Sequence, residues 1–325
     1  MEKTKEELAD LVVNFKSKTY AESTRRSYSC HLRKYLNFCT SYNFVPVPAS
    51  QEQIELYTVY LSQSLQYTSL SKYLNIIRIV HLEAGFINPL DKNFSLDMLL
   101  RGIKRELGAS VNRKLPITPE ILVSMYKIID TTDVLDIIFW AACLVGFHAL
   151  LRKSNLFSPG LDKFNPANHL SRSHLHWRNW GIELEIRWSK TIQFRERKVS
   201  CPLLRTSSIL CPVWAVQNVL DKTTLASPSG PLFVYQAKGA WRPYLYCQFL
   251  RRLREVLEQV GLPATSYAAH SLRRGGASWA LKCGVPGEVI QSLGDWKSDA
   301  YMNYLDVSTT VKMSYLRHMS SCLNV

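Results

Sequence analysis

The stretch AHSLRRGGASWALKCGVPGEVIQSLGDWKSDAYMNYLDV, residues 269–307, decides how this 325-residue chain is interpreted. Its pattern predicts two consecutive helices, over 270–283 and 286–293. Gly284 and Gly294 follow directly, and glycine is the residue that most often ends a helix. The segment after the second helix is short and aromatic. A compact helical region near the end of the chain is therefore expected.

Within this stretch, His270 and Arg273 are three residues apart and share one helix face. A guanidinium can hold two phosphate oxygens in a fork, and an imidazole can transfer a proton near neutral pH. Two tyrosines follow, Tyr301 and Tyr304, and a phenol can attack phosphorus to form a covalent intermediate. These residue types favour phosphodiester chemistry. An HxxR pair by itself is more often a surface or packing feature, so the rest of the chain must supply the context.

Gly275 and Gly276 lie in the middle of the first predicted helix. Glycine is a poor helix former, and it has no side chain to keep another backbone away. We therefore expect a close backbone approach at these two positions. Tyr301, one helical turn before Tyr304, is expected to be a packing neighbour.

Upstream of this stretch, an apolar run over 137–151 predicts a buried helix that ends at Arg152. Alternating apolar and polar residues over 182–188 predict a strand after a turn at 179–181, and 197–203 reads as the return strand. Lys190 lies where the alternation breaks, at the tip of this hairpin; Lys198, on the return strand, is its rival. Beyond the hairpin, only helices are expected.

The first third of the chain reads as helices, with predicted starts at Ser23 or Thr24, at a Ser50–Gln53 capping box, at Thr68 or Ser69 and at Leu96. Residues 108–117 resemble an extended linker, and Thr118 caps a new helix that has proline in its first turn. The predicted organisation is a helical domain over 1–107 and a second domain over 118–325. The fold class is mainly α with a small antiparallel β-sheet.

Composition narrows the classes of function. Lys and Arg number 40 against 26 Asp and Glu, a net charge of +14, which points to a polyanionic partner such as nucleic acid. The N-terminus lacks the apolar core of a secretory signal, which argues against a secreted protein. The apolar run over 137–151 is shorter than the roughly 20 residues of a membrane span, which argues against a membrane-spanning helix there. The eight cysteines form no CxxC pair, which argues against a zinc module or a disulfide framework.

Taken in order along the chain, these residues resemble the tyrosine recombinase (phage integrase) family. That resemblance implies an N-terminal core-binding domain of SAM-like helical fold and a mixed α/β catalytic domain. It assigns the catalytic residues as Arg152 in ALLRKSNL, Lys190 in WSKT, His270 and Arg273 in HSLR, Trp296 in LGDW and Tyr304 in AYMNYL. The amino-acid sequences of these motifs most resemble those of recombinases from eukaryotic mobile elements of the DIRS, Ngaro and crypton groups.

Two positions depart from the family pattern. Asn155 stands where bacterial members often have an acid three residues after the first arginine, so the surroundings of Arg152 must differ. Trp296 precedes Tyr304 by eight residues instead of the commoner nine.

The resemblance implies a DNA strand transferase that needs no metal, cofactor or ATP. In that chemistry Tyr304 attacks the scissile phosphate, the two arginines stabilise the charge that develops, and Lys190 protonates the leaving 5′ oxygen. The resemblance further implies that double-stranded DNA is the partner and that a homotetramer assembles on two duplexes. If the host is eukaryotic, nuclear localisation is expected. A type IB topoisomerase and a host-adopted DNA-binding protein that no longer cuts are the alternatives.

Basic residues outside the catalytic set are either a solvated face or contacts to DNA phosphates. Two helical domains on an extended linker could close around a duplex, which favours the second interpretation. The predicted contacts are Arg25, Arg26, Arg33, Lys34, Lys72, Arg78, Arg251 and Arg252.

Overall fold

The computed structural model of the chain describes residues 3–109, 113–160, 163–192, 196–305 and 309–323. The chain divides into two compact units, Met1–Asn112 and Arg113–Val325. All regular secondary structure in the described residues of the first unit is helical. Its elements are α1 (Lys5–Ser17), α2 (Glu22–Ser41), α3 (Gln51–Ser62), α4 (Tyr67–Glu83) and α5 (Phe94–Leu107).

The core of the first unit lies between α2, α3 and α4 and is rich in aromatic rings. Tyr35 and Tyr57 are fully buried and meet edge to face, with ring centroids 5.1 Å apart. The Tyr35 hydroxyl donates to the carbonyl of Pro46 and accepts from the Gln53 amide, at 2.8 Å in both cases. This buried hydroxyl therefore has both an acceptor and a donor, and its bonds specify how the helices pack.

Three predicted helix starts and one capping box need correction. α4 begins at Tyr67, before the predicted Thr68 or Ser69, and α5 begins at Phe94, before the predicted Leu96. α2 begins at Glu22, before the predicted Ser23 or Thr24 cap, and its cap residue, Ala21, makes no side-chain hydrogen bond. At α3 the Ser50 hydroxyl accepts from the Gln53 backbone N–H at 3.1 Å, but the Gln53 side chain bonds Tyr35 and does not complete the capping box. Tertiary burial of Gln53 therefore outweighs the local reciprocal cap.

The second unit combines helices with two small sheets. Its helices are α6 (Pro119–Tyr126), α7 (Val134–His148), α8 (Lys153–Leu156), α9 (Pro212–Lys222), α10 (Tyr246–Gln259), α11 (Ala269–Lys282), α12 (Gly287–Leu293) and α13 (Thr309–Leu323). Its strands are β1 (Leu175–Arg178), β2 (Gly181–Ile186), β3 (Val199–Leu204), β4 (Val234–Ala237) and β5 (Ala240–Pro243). Short 3-10 helices in the described residues of this unit are Arg172–His174, Ala264–Ser266 and Asp299–Tyr304.

α7 is the centre of the second unit, since every residue from Asp136 to Phe147 is buried. α11 packs against α7 at Gly276 and against the segment before α6 at Gly275. A Cβ on Gly275 would lie 1.8 Å from the Ile117 carbonyl oxygen, and one on Gly276 would lie 2.1 Å from that of Phe147. The close backbone approach expected at these positions is confirmed, because no other residue fits there.

The sheet prediction was incomplete. The hairpin β2–β3 is present, antiparallel, with Leu184 opposite Cys201. The four-residue strand β1 adds a third strand, and it is too short to show alternation in the sequence. β4 and β5 form a second hairpin, so the expectation of helices alone after the first hairpin is wrong. Its two-residue turn, Lys238–Gly239, has positive φ at both residues, the backbone signature of a tight hairpin turn.

The segment before α6 belongs to the second unit. The Leu115 and Ile117 backbone N–H groups donate to the carbonyls of Ser266 and Ser271, at 2.8 and 3.0 Å. The Thr118 hydroxyl then accepts from the Ile121 N–H at 3.4 Å and caps α6, as the sequence predicts. The chain thus joins the second unit ahead of Thr118.

α13 contacts its own unit, because the Tyr315 hydroxyl donates to the Leu281 carbonyl at 3.2 Å. Across the described ranges of the chain, we find no helix that combines the length and the apolar character needed to span a bilayer.

Candidate active site

Arg152 follows a helix end with an unusual conformation. At the end of α7 the Leu151 N–H donates back to the Gly146 carbonyl at 3.2 Å, and Leu150 has a φ of +49°. This is the Schellman arrangement, which normally places glycine at the left-handed position. A leucine there carries backbone strain of roughly 1 kcal/mol or more. The turn directs the chain away from α7, so that Arg152 becomes the half-buried cap residue of α8.

Arg273 is deeply buried, with 1% exposure. Its guanidinium donates to the Leu150 carbonyl and, at 2.7 Å, to the Gly294 carbonyl. Its central carbon lies 3.7 Å from the centre of the Trp296 ring, a cation–π contact. These contacts fix the position and plane of the guanidinium before any ligand binds.

Trp296 is held against Arg273 by the helix end that precedes it. Gly294 ends α12, and a Cβ there would lie 1.7 Å from the Trp296 ring. Tyr301 is buried and its ring centroid lies 6.3 Å from that of Trp296, in one apolar cluster with Ile290. The expectation that Tyr301 is a packing neighbour is therefore confirmed.

His270 lies in the first turn of α11, on the same face as Arg273. His270 is exposed at the surface, but desolvation of its ring by neighbouring atoms, and then the positive charges of Arg273, Arg152 and Lys153, hold its pKa below the ordinary value. The imidazole is therefore neutral at physiological pH and able to accept a proton. His270 is therefore within electrostatic reach of Arg152 and Arg273.

The β2–β3 connection places Lys190 beside this site. Ser189 and Thr191, its two neighbours in sequence, both donate hydroxyl hydrogen bonds to the Asp295 carboxylate, the first at 3.1 Å. Lys190 itself is exposed. A small pocket is lined by Arg152, Arg273, Ser189 and Asp295 together.

Lys198 has a different environment, on the chain leading into β3. Its ammonium lies 3.3 Å from the Glu185 carboxylate. Burial would raise the pKa of Glu185, but hydrogen bonds from Arg187 and Lys198 outweigh it and lower that pKa to about 2. Glu185 is thus ionised and engages Lys198 on the sheet, whereas the turn of Lys190 is attached to the residue next to Trp296.

Asn155, which departs from the family pattern, links two parts of the site. It is buried, and its amide donates to the Trp188 carbonyl at 2.8 Å. α8, which Arg152 caps, is thereby attached to the end of β2. An amide can donate in this way and an ionised carboxylate cannot, which is the physical reason that Asn suits this position.

The 3-10 helix Asp299–Tyr304 packs against α11 and α12. The side chain of Tyr304 lies outside the described part of the structure. In the described ranges, no group of three or more His, Cys, Asp or Glu residues could hold a metal ion.

The predicted DNA contacts have different surroundings. In the first unit they are carried by α2 and α4; Lys34 donates to the Ser64 hydroxyl at 3.2 Å, and Arg78 donates to the Asn75 side chain at 3.0 Å. On α10, Arg251 is exposed, with a 3.9 Å contact to Glu255. Exposed among the set are Arg25, Arg26, Arg33, Lys72, Arg78 and Arg251.

Arg252 is different from the other predicted contacts. It binds the buried carboxylate of Asp136 through two hydrogen bonds of 2.6 Å and so ties α10 to α7. This bidentate pair gives Arg252 a structural role that its position in a basic stretch did not reveal.

Sequence reasoning missed Asp295 altogether. Its φ of +51° places it in the left-handed region, which aspartate tolerates better than most residues. The only local signal was an acidic residue between Gly294 and Trp296, and its partners lie 98 to 106 residues away in the chain.

The chain is similar in sequence to one curated relative and in fold to several solved structures. No protein-family model matches the chain. A curated relative, an integrase/recombinase xerD homolog from Selenomonas ruminantium, is 24% identical over 318 residues, which are 93% of this chain and 86% of the relative. The similarity therefore spans both units.

Solved structures show the same fold. The integrase of the Tn1549 transposon, in complex with transposon right end DNA, matches with a TM-score of 0.65 at 14% identity, over 93% of this chain and 95% of its own. The XerH site-specific recombinase bound to difH matches at 0.61 and 13% identity, over 92% and 80%. A lambda integrase dimer bound to a core site matches at 0.59 and 15% identity, over 93% and 95%. The mainly helical fold with small antiparallel sheets that the sequence predicts is confirmed.

Proposed function

We propose that this chain belongs to the tyrosine recombinase and integrase family, and that it cuts and rejoins double-stranded DNA at specific sites through a covalent 3′-phosphotyrosine intermediate; the similarity to a xerD homolog and to the Tn1549 integrase fold supports this. The observation that carries this proposal is the convergence of Arg152, Arg273 and the Lys190 turn on one pocket, with Trp296 stacked on Arg273. These residues come from four separate stretches of the chain. Packing alone does not require two arginines and a lysine-bearing turn to meet.

The proposed roles follow from the chemistry of each group. Arg152 and Arg273 bind the scissile phosphate and stabilise the negative charge that grows in the transition state. The preorganised guanidinium of Arg273 is suited to this because its orientation is set by backbone carbonyls. Tyr304 attacks phosphorus, and the bond to the 5′ oxygen breaks. Lys190 gives that oxygen a proton, while neutral His270 assists proton transfer.

Because the phosphotyrosine retains the energy of the broken phosphodiester bond, a 5′ hydroxyl can reverse the reaction without ATP. The arginines supply the charge stabilisation for which many phosphoryl-transfer enzymes use metal ions. The reaction therefore needs no metal or other cofactor in this proposal.

The test is covalent trapping on nicked DNA, from which the cleaved strand diffuses away. We expect the parent protein to form a denaturation-resistant DNA adduct and Tyr304→Phe to form none while it binds DNA as the parent does. Tyr301→Phe is the matched control and keeps the adduct, since Tyr301 packs in the apolar cluster. An adduct with Tyr304→Phe, or its loss in Tyr301→Phe alone, would assign the nucleophile to Tyr301. No adduct with the parent on any substrate would contradict the proposal.

Three more specific proposals follow from the sequences of the motifs ALLRKSNL, HSLRRGGAS and LGDWKSDAYMNYL. They are integration of a eukaryotic mobile element of the DIRS, Ngaro or crypton type, a homotetramer on two duplexes, and nuclear localisation. Exchange of two duplexes requires four strands to be cut, which supports the tetramer. Sedimentation of the protein on paired duplex sites tests this state, and a dimer that completes strand exchange would contradict it.

A further inference from the structure

The turn that carries Lys190 is attached to Asp295 by side chains on both sides of the lysine. The Ser189 hydroxyl donates to the Asp295 carboxylate at 3.1 Å, and the Thr191 hydroxyl donates to the same oxygen. The Thr191 N–H also donates to the Ser189 hydroxyl at 3.1 Å, which closes the turn around Lys190.

Asp295 also receives a charged partner. Its second carboxylate oxygen accepts from Arg197, which follows on the same β2–β3 connection. The carboxylate side chain is only 12% exposed, whereas that of Arg197 is 46% exposed. A largely buried carboxylate needs donors to offset its lost hydration, and these three side chains supply them from the connection between β2 and β3.

Asp295 is also joined to the arginine side of the pocket. It lies between Gly294, whose carbonyl accepts from Arg273 at 2.7 Å, and Trp296, whose ring stacks on that arginine. A single short segment therefore touches both the phosphate-binding arginine and the lysine-bearing turn.

We propose that Asp295 is a positioning residue that sets the place of Lys190 relative to Arg273, so that the lysine can protonate the leaving 5′ oxygen. This inference rests on the proposed strand-transfer function. Asp295 acts through Ser189 and Thr191 and is not itself a catalytic residue. A misplacement of about 1 Å in a reacting group can lower a rate by about 10²-fold.

The test separates proton donation from the other steps by changing the leaving group. In one DNA substrate the bridging 5′ oxygen at the scissile phosphate is retained; in a second, sulfur replaces it. When Tyr304 attacks the sulfur substrate, the P–S bond breaks and the electron pair leaves as a thiolate. A thiol has a pKa of about 8.5, so this leaving group requires no proton from Lys190.

We expect Asp295→Ala to slow single-turnover cleavage of the oxygen substrate by about 10²-fold and to cleave the sulfur substrate within about threefold of the parent. Lys190→Ala, which removes the proton donor itself, should show the same result: slow cleavage of the oxygen substrate and near-parent cleavage of the sulfur substrate. Arg273→Ala is the opposite reference, because it should be slow on both substrates. Glu258→Ala, which removes an exposed carboxylate from α10, is the matched control and should change neither rate.

A double variant, Ser189→Ala with Thr191→Val, removes the hydroxyl donors and leaves Asp295 in place. This double variant should also cleave the oxygen substrate slowly and the sulfur substrate at close to the parent rate. It tests the positioning role of Asp295 if Asp295→Ala does not fold. Equal slowing on both substrates, or parent-like cleavage of the oxygen substrate by the double variant, would overturn the positioning role. A parent that forms no adduct with either substrate would instead refute the proposed function.

Discussion

Arg273→Ala should damage the fold as well as the chemistry, and the structure allows the two effects to be separated. The substitution leaves the Leu150 and Gly294 carbonyls without their arginine donor, in a place where Arg273 is 1% exposed. A buried acceptor that loses its donor costs about 1–3 kcal/mol, and a desolvated cation–π contact is worth about 2 kcal/mol. We therefore expect a loss of at least about 3 kcal/mol in the free energy of unfolding.

Arg152→Ala is the matched comparison, because the same catalytic role is proposed for a side chain that is only half-buried. Its cost in unfolding free energy should stay below about 1 kcal/mol. In cleavage, each variant should lose about 10²–10³-fold, since each removes a preorganised donor from the developing charge. Affinity should fall only modestly in both, because one phosphate contact among many is lost.

Denaturant unfolding measures the free energy of unfolding of each variant. Single-turnover cleavage at saturating protein measures the cleavage rate, at a temperature where both variants are folded. Arg273→Lys should restore little cleavage, because a point charge cannot replace the two-pronged fork. If Arg273→Ala is as stable as Arg152→Ala, the carbonyl contacts do not hold the guanidinium as described. If either alanine variant cleaves within about threefold of the parent, less than 1 kcal/mol of barrier, that arginine is not in the active site.

Four other outcomes are expected. Gly275→Ala should destabilise the protein by at least about 2 kcal/mol because its Cβ meets a backbone carbonyl, whereas Gly102→Ala, in a helix position with open space, should stabilise it by about 1 kcal/mol; thermal melts compare the two. Arg252→Ala leaves a buried carboxylate unpaired and should cost about 3–5 kcal/mol in stability without changing the salt dependence of DNA binding; a lower salt slope would identify it as a phosphate contact. In NMR titrations of the free protein, His270 should titrate below pH 6.5, and Arg152→Ala should raise its pKa because a repelling positive charge is gone; an unchanged pKa would place Arg152 away from it. Binding to non-cognate duplex should weaken with salt at a slope near −5 in log–log form if about six phosphates are neutralised, and a slope near zero in an anisotropy titration would refute a largely electrostatic interface.

The sequence alone determined the features that arise from local chemistry. The Thr118 cap and the shared face of His270 and Arg273 depend on neighbours within about one helical turn. The glycine pair of α11 was visible because glycine inside a helix is itself the signal, although the backbones that approach it are distant in sequence. The hairpin β2–β3 was also visible, because its alternation runs over several residues. Strands β1, β4 and β5 were not, because four residues carry too little pattern to separate a strand from a loop.

Only the tertiary structure decided how charged side chains are used. Arg252 reads as one basic residue among several, yet its partner Asp136 is 116 residues away and buried on α7. Asp295 has no distinguishing pattern, and its hydroxyl partners are 106 and 104 residues away. A hydrogen bond between such distant positions leaves no period or spacing in the sequence, since it forms only when the folded backbone brings a donor within about 3 Å of an acceptor.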